Sequence, residues 1–253
     1  MYKTILYEVK DHIATVTLNR PEFGNAFSAE TYQEIIDAMN EISNDKDVKV
    51  AILTGKGKHF CTGGDVALFQ KMIDENQPIS EEDVIKTGEM VTSVKRNKQP
   101  VIAAINGAAA GAGLGLALAC DFIVMGEASK LVTAFIGMAF PGDTALIYNL
   151  QQAIGIFRTT RHMMLSEPID AKLATEYGIA FAVVPDEQLG DTALQLASYL
   201  ANGPTEAFGQ QKALLAEMLY PGLEEVNKKE AKYMHIASKG EAHKAAVKAF
   251  MNK

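Results

Sequence analysis

The sequence predicts an α/β fold: a layered core of strands alternating with helices, followed by a helical C-terminal region. Three observations predict it. Short apolar runs alternate with amphipathic segments up to about residue 185, and every later segment is helical in pattern. Two of the apolar runs, 50–53 and 101–105, lead into glycine-rich turns. The chain has 253 residues, 48% of them hydrophobic, enough to bury one large core.

Residues 2–18 alternate apolar and polar positions on both sides of Lys10-Asp11-His12, the pattern of a β-hairpin. Ser28 suits a helix N-cap, and Tyr32, Ile35, Ile36, Met39 and Ile42 then share one helical face. Residues 48–53 read as a strand, and a helix is expected to begin at 65–70. The polar stretch 74–82, with Pro78, reads as a mobile excursion. A helix follows over 84–94, with Gly88 its weak point. Strand 101–105 leads through small residues into a buried helix at 116–120, then a strand at 122–125. Residues 130–136 read as extended. Helices are expected over 143–152, 158–164 and 170–177, the last stopped by Gly178. A last strand covers 180–184. Helices over 187–201, 205–219, 223–239 and 241–251 complete the chain.

Composition excludes several functions. No apolar run is long enough to span a membrane. Met1-Tyr2-Lys3-Thr4 begins no signal-peptide pattern, and the two cysteines form no framework. A reduced, cytoplasmic setting is the expectation. The net charge of −7 argues against nucleic-acid binding, although Lys95-Arg96-Asn97-Lys98 forms a local basic spot. Gly111-x-Gly113-x-Gly115 lacks the spacing of a dinucleotide fingerprint. The sequence also has no P-loop, no catalytic-zinc motif and no G-x-S-x-G elbow. His59, His162, His235 and His243 show no pairing and are expected at the surface.

The two glycine-rich turns carry the chemistry. One runs from Gly55 to Cys61-Thr62-Gly63-Gly64-Asp65, the other from Asn106-Gly107 to Gly115. Small residues let a ligand approach the backbone, and a fresh helix N-terminus offers unpaired N–H groups. Two such turns meeting at one carbonyl oxygen would form an oxyanion hole; close packing is the structural alternative.

Asn19-Arg20-Pro21-Glu22, Asn25-Ala26, Phe60 to Asp65, Asn106 to Gly115 and Cys120-Asp121 occur in an order that resembles the crotonase (enoyl-CoA hydratase/isomerase) superfamily. The resemblance covers residues 1–185 and continues weakly beyond. It implies a crotonase-like spiral of ββα units, with an acyl-CoA-binding core at 1–190. A helical region at 191–253 would serve trimerisation and cover the active site. It implies an acyl-CoA or acyl-carrier thioester substrate, no cofactor beyond the substrate's own coenzyme A, no metal, and a homotrimer or hexamer. By position, Gly64 and Ala112 are the oxyanion donors. Ala26, Cys61, Asp65, Phe69, Gly111 and Met138 fall around the substrate, with Met72, Ile73 and Phe140 as further candidates. Asp65 also suits a helix cap, and Cys61 lacks a histidine partner. Lys244 and Lys248 suit either phosphates or a solvated helix face.

The hydratase glutamates correspond to Gly115 and Thr133, neither of them acidic, so classical hydration is not expected. The acidic residue that remains is Asp143, at the position of the single acid of some isomerases. After Pro141-Gly142 it equally suits a helix N-cap. A dehalogenase-like role is disfavoured, because Gly88 stands where the basic histidine would be. A double-bond isomerase leads. A hydratase-like or thioester-cleaving enzyme with another catalytic residue, and a non-catalytic thioester-binding protein, are the alternatives.

Overall fold

The computed structural model describes residues 1–252, so the last residue of the expected tail, Lys253, lies outside it. β1 (Ile5–Lys10) and β2 (Ile13–Leu18) form the expected hairpin, with Asp11 and His12 turning at positive φ. Ser28 caps α1 (Ala29–Asn44), accepting from the Thr31 N–H at 3.2 Å. β3 (Val50–Gly55) lies parallel to β2, with Ile13 opposite Val50.

Next come α2 (Val66–Asp74) and α3 (Glu81–Lys95). The expected excursion at 74–82 is short: Ser80 caps α3, and Ile79 is buried with its N–H on the Ser238 hydroxyl at 3.2 Å. Proline and polar residues there mark a helix start rather than a long loop. β4 (Val101–Ile105), β5 (Ala108–Ala110), α4 (Ala112–Ala119), β6 (Phe122–Gly126) and β7 (Lys130–Val132) follow. The expected extension of β7 to residue 136 ends early, because Phe135–Met138 closes into a 3-10 turn.

α5 (Leu146–Ile154) begins three residues later than the sequence predicts, and α6 (Ile156–Leu165) is longer than expected. β8 (Ile169–Asp170), α7 (Ala171–Glu176) and β9 (Ala182–Val184) end the core. The tail comprises α8 (Leu189–Ala201), α9 (Thr205–Leu219), α10 (Leu223–Ser238) and α11 (Glu241–Met251).

Six strands form the main sheet in the order β1-β2-β3-β4-β6-β9, parallel except for the hairpin. A second, three-stranded sheet has the order β5-β7-β8, with β5 and β7 parallel and β7 and β8 antiparallel. Both faces of β3 and β4 are buried, which explains their unbroken apolar runs. One face packs on α8 through Ile52, Ile102, Ala193 and Ala197; the other meets the main core of α1, α3 and α4. No helix among the described residues is long and apolar enough to cross a membrane.

Two surface expectations change. His162 and His243 are buried, while His59 and His235 are half-buried. The basic spot is also partly internal: Lys95 is buried, donating to the Leu118 carbonyl at 3.1 Å and lying 4.5 Å from the Tyr220 ring centroid. His59, His235, His243 and Lys95 have partners distant in sequence, while His162 Nδ1 reaches the nearby Glu167 carbonyl at 2.8 Å.

Candidate active site

The two glycine-rich turns meet. The Cys61 N–H donates to the Ala108 carbonyl at 3.0 Å, and the Ala110 N–H donates to the Cys61 carbonyl at 2.8 Å. Two asparagines hold the first turn from either side. Asn25 donates to the Lys56 and His59 carbonyls at 3.0 and 2.7 Å. Asn106 donates to the Gly55 and Gly57 carbonyls at 2.7 and 2.9 Å. Asn106 is thus the turn former its position suggests, and Asn25 is a framework residue of the same kind.

Glycine is required where the turns touch. Gly63 sits at φ 105, and a Cβ there would lie 3.2 Å from the Ala110 carbonyl oxygen. Gly111, at φ 51, is 3.8 Å from Gly63 when given a Cβ. A Cβ on Gly113 would lie 2.6 Å from that of Cys61. At Gly113 the close approach leaves no room for a Cβ, and at Gly63 and Gly111 the positive φ favours glycine.

Among the described residues, neither the Gly64 nor the Ala112 N–H donates a hydrogen bond within the chain. Ala112 is the first residue of α4, so its N–H lies at the positive end of that helix. Both residues line one cavity of about 480 Å³. Its wall also includes Ala26, Asp65, Phe69, Gly111, Met138 and Asp143, bringing those sequence candidates together. Phe250 and Met251, from α11, line it too.

Three candidates stand differently. Asp65 caps α2 through the Ala67 N–H at 3.1 Å and pairs with Arg20 at 3.1 Å, so its carboxylate is already engaged. Cys61 lies behind the wall, fully buried, and burial pushes its thiol up to about 12, away from a reactive thiolate. Lys244 is held by Glu241 at 2.8 Å. Phe140 lines the cavity as well, stacked on His243 at 4.0 Å between centroids, while His243 Nδ1 reaches the Met138 carbonyl at 2.9 Å.

Asp143 is not the N-cap of α5. Ala145 occupies that place, and Thr144 and Ala145 both adopt left-handed backbone, φ 57 and 49. The Asp143 side chain is thereby freed from capping. It is 6% exposed, its Oδ1 has no hydrogen-bond partner, and it lines the cavity. Burial pushes its carboxyl up to about 7, only partly opposed by the Thr144 and Thr87 hydroxyls. Desolvation is the largest cause of this shift.

The missing glutamates have a structural counterpart. A Cβ on Gly115 would lie 2.1 Å from Thr144 Oγ1, so the turn carrying Asp143 fills the space of any side chain at 115. Thr133 is buried and donates to the His162 carbonyl at 2.7 Å, outside the cavity wall. Gly88 is likewise filled from outside: a Cβ there would lie 2.3 Å from the Asn227 side chain.

Sequence reasoning missed Tyr32 and Glu230. Tyr32 lines the cavity, and the Asp143 charge adds to the burial that holds its phenol protonated. Its place on the buried face of α1 gave only a core signal. Glu230 is buried behind the Asp143 turn, 85 positions along the chain from Ala145, whose N–H it accepts at 2.8 Å.

Comparison with known proteins shows the chain's family and fold. The family model for enoyl-CoA hydratase/isomerase matches residues 8–253. The chain is 29% identical, over 100% of its length and 96% of the relative's, to the trans-2-decenoyl-[acyl-carrier-protein] isomerase of Streptococcus mutans. It is 31% identical, over 100% and 97%, to the 1,2-epoxyphenylacetyl-CoA isomerase of Escherichia coli. Its fold superposes on an enoyl-CoA hydratase from Mycobacterium avium subsp. paratuberculosis with TM-score 0.91 at 24% identity, covering 100% and 97% of the two chains. With that fold, that pair of turns and a family match over nearly its whole length, the chain belongs to the enoyl-CoA hydratase/isomerase family of enzymes, the crotonase superfamily.

Proposed function

We propose that this enzyme moves a double bond in an acyl thioester from the 3,4 to the 2,3 position, with Asp143 as the single acid/base. One observation carries this: a buried carboxyl without a hydrogen-bond partner on Oδ1 shares a cavity with two unpaired backbone N–H groups. Asp143 takes a proton from C2 of the 3-enoyl thioester. The electron pair moves through C2 onto the thioester oxygen, which the Gly64 and Ala112 N–H groups hold as a dienolate. The same carboxyl returns the proton to C4, and the 2-enoyl thioester results. A carboxyl near neutrality suits both halves of this transfer.

Hydration asks for a second acid/base group in the cavity. Asp65 is engaged by Arg20 and the α2 N-terminus, and Tyr32 is held protonated, which favours the one-base reaction. The substrate is an acyl-CoA or acyl-carrier thioester, as in the names of the two isomerases above, and it brings its own coenzyme or carrier. Apolar Phe69, Met138 and Phe140 suit the acyl tail, and α11 serves as cover through Phe250 and Met251. The working form is a homotrimer or a hexamer. Large exposed apolar side chains at Ile156, Phe157, Met164 and Leu165 on α6 support that assembly.

The test is turnover of a 3-enoyl-CoA series, followed by the absorbance of the conjugated product. Asp143→Asn is expected to lose about 10²–10⁴-fold in rate, the usual contribution of a general base. Full turnover by that variant would refute the assignment.

A further inference from the structure

Two consecutive left-handed residues, Thr144 and Ala145, carry Asp143 into the cavity, and neither residue type favours that backbone. Local bonds hold part of the turn: Thr144 Oγ1 donates to the Asp143 carbonyl at 2.6 Å, and the Leu146 N–H donates to the same oxygen at 3.1 Å. The Ala145 N–H has no local acceptor. It donates to Glu230 Oε2, at 2.8 Å, across from α10. The other oxygen, Oε1, is sealed and has no hydrogen-bond partner. Glu230 is absent from the cavity wall, so it acts from behind the turn.

We propose that Glu230 is the positioning residue of the active site: it clasps the Ala145 N–H and fixes the turn that aims Asp143. This rests on Asp143 being the acid/base. A glutamine or an asparagine would serve as a plain acceptor, so the choice of a carboxyl has a further consequence. Two buried carboxyls then share one region, and among the described residues neither forms an ion pair. Around them stand Tyr32 of α1, held protonated by burial, and the hydroxyls of Thr87 and Thr144. Cys61, beyond Tyr32, is also held protonated. The charged residues Lys86 and Glu89 of α3 and Lys228, Lys229 and Lys232 of α10 are half-exposed or exposed.

With no cation paired to either among the described residues, both carboxyls resist ionising together. Burial lifts Glu230 to about 8, and the Asp143 charge adds to the lift. Between about pH 7 and about pH 8 the pair thus carries mainly one negative charge, on Asp143, the group with the lower value. At higher pH Glu230 ionises, and a second charge opposes formation of the anionic dienolate.

The experiment compares the pH dependence of kcat/KM on a 3-enoyl-CoA for wild type, Glu230→Gln and Glu230→Leu. The wild-type profile is expected to rise through about pH 7 and fall above about pH 8. Glu230→Gln keeps an acceptor for the Ala145 N–H. Its plateau should stay within about threefold of wild type, and the alkaline fall should vanish. Glu230→Leu loses the clasp, so kcat should drop at least about tenfold while KM changes less than about threefold. An alkaline fall that persists in Glu230→Gln overturns the proposal, as does a wild-type kcat in folded Glu230→Leu. If Glu230→Leu does not fold, Glu230→Gln decides.

A carboxyl ¹³C titration, which needs no turnover, separates this from the assignment of the base. The Asp143 resonance should titrate in two steps in wild type and in one in Glu230→Gln; two steps in both would overturn the coupling. Asp143→Asn at full turnover would instead refute the base, leaving the titration to judge Glu230.

Discussion

Replacing Asp143 by Asn should make the protein more stable, and increasingly so as pH rises. The folded carboxyl ionises near 7, against 3.8 for an ordinary Asp. Below about pH 3.8 folded and unfolded chains both hold the proton, and Asp143 contributes no pH dependence. Between that pH and about 7 the folded state binds more protons, so stability falls as pH rises. Above about 7 both states have lost the proton and the cost is constant. At about 1.36 kcal/mol per pKa unit, the cost reaches about 1.7 kcal/mol at pH 5 and about 4.4 kcal/mol at pH 9. Exposure of only 6% leaves little solvent screening to discount.

The buried amide of Asn adds an offset of its own, but one independent of pH. The diagnostic quantity is therefore the change in the mutant's advantage between pH 5 and pH 9, about 2.7 kcal/mol. Glu230 reinforces the sign, because removing the Asp143 charge also eases its ionisation. Urea unfolding of both proteins at the two pH values reads the difference directly. A mutant advantage that is flat with pH, or larger at pH 5, would show that Asp143 is not held as a desolvated carboxyl. Its fitness as a base near neutrality would fall with it.

Gly115→Ala places a Cβ 2.1 Å from Thr144 Oγ1 and must displace the Asp143 turn. We expect a stability loss of about 1–3 kcal/mol and a larger proportional loss of kcat than of substrate affinity, by thermal melts and steady-state kinetics. Sedimentation velocity should give a trimer or hexamer, and charged replacements of the exposed Phe157 and Leu165 on α6 should shift it towards monomer; a wild-type monomer would refute the assembly.

What could be seen in the sequence was what short-range chemistry decides. α9 and α11 begin and end where the apolar periodicity places them, and Ser28 caps α1 because a hydroxyl before an amphipathic run has few other uses. The two glycine-rich turns are visible in the sequence, but neither their meeting nor their partner residues can be read there. Cys61 and Ala109 pair across 48 positions, and Ala108–Ala110 has no strand pattern of its own. His243 was misplaced for the same reason: its partners Phe140 and Met138 lie about a hundred residues earlier. Glu230 resembles any charged residue of an amphipathic helix until the fold sets it against Ala145.

The failures of local reasoning are not scattered. Asp11, His12, Asn25 and Asn76 take positive φ in turns, where their residue types are favoured. Ala134, Ala139, Thr144, Ala145 and Ser166 do so with no such excuse, at φ 58, 54, 57, 49 and 51, and all but Ser166, the C-cap of α6, fall within one segment. Ala134 lines the cavity, Ala139 separates its wall residues Met138 and Phe140, and Thr144 and Ala145 carry Asp143. The mistaken start of α5 lies in this same segment. Backbone held against its preference persists only where surrounding contacts over-determine it, and such strain gathers at functional sites. Here the contacts are on view: Gly115 makes room for Thr144, and Glu230 ties down Ala145. The backbone thus points to the Asp143 wall of the cavity without appeal to any relative, and it does so where the helix rule failed.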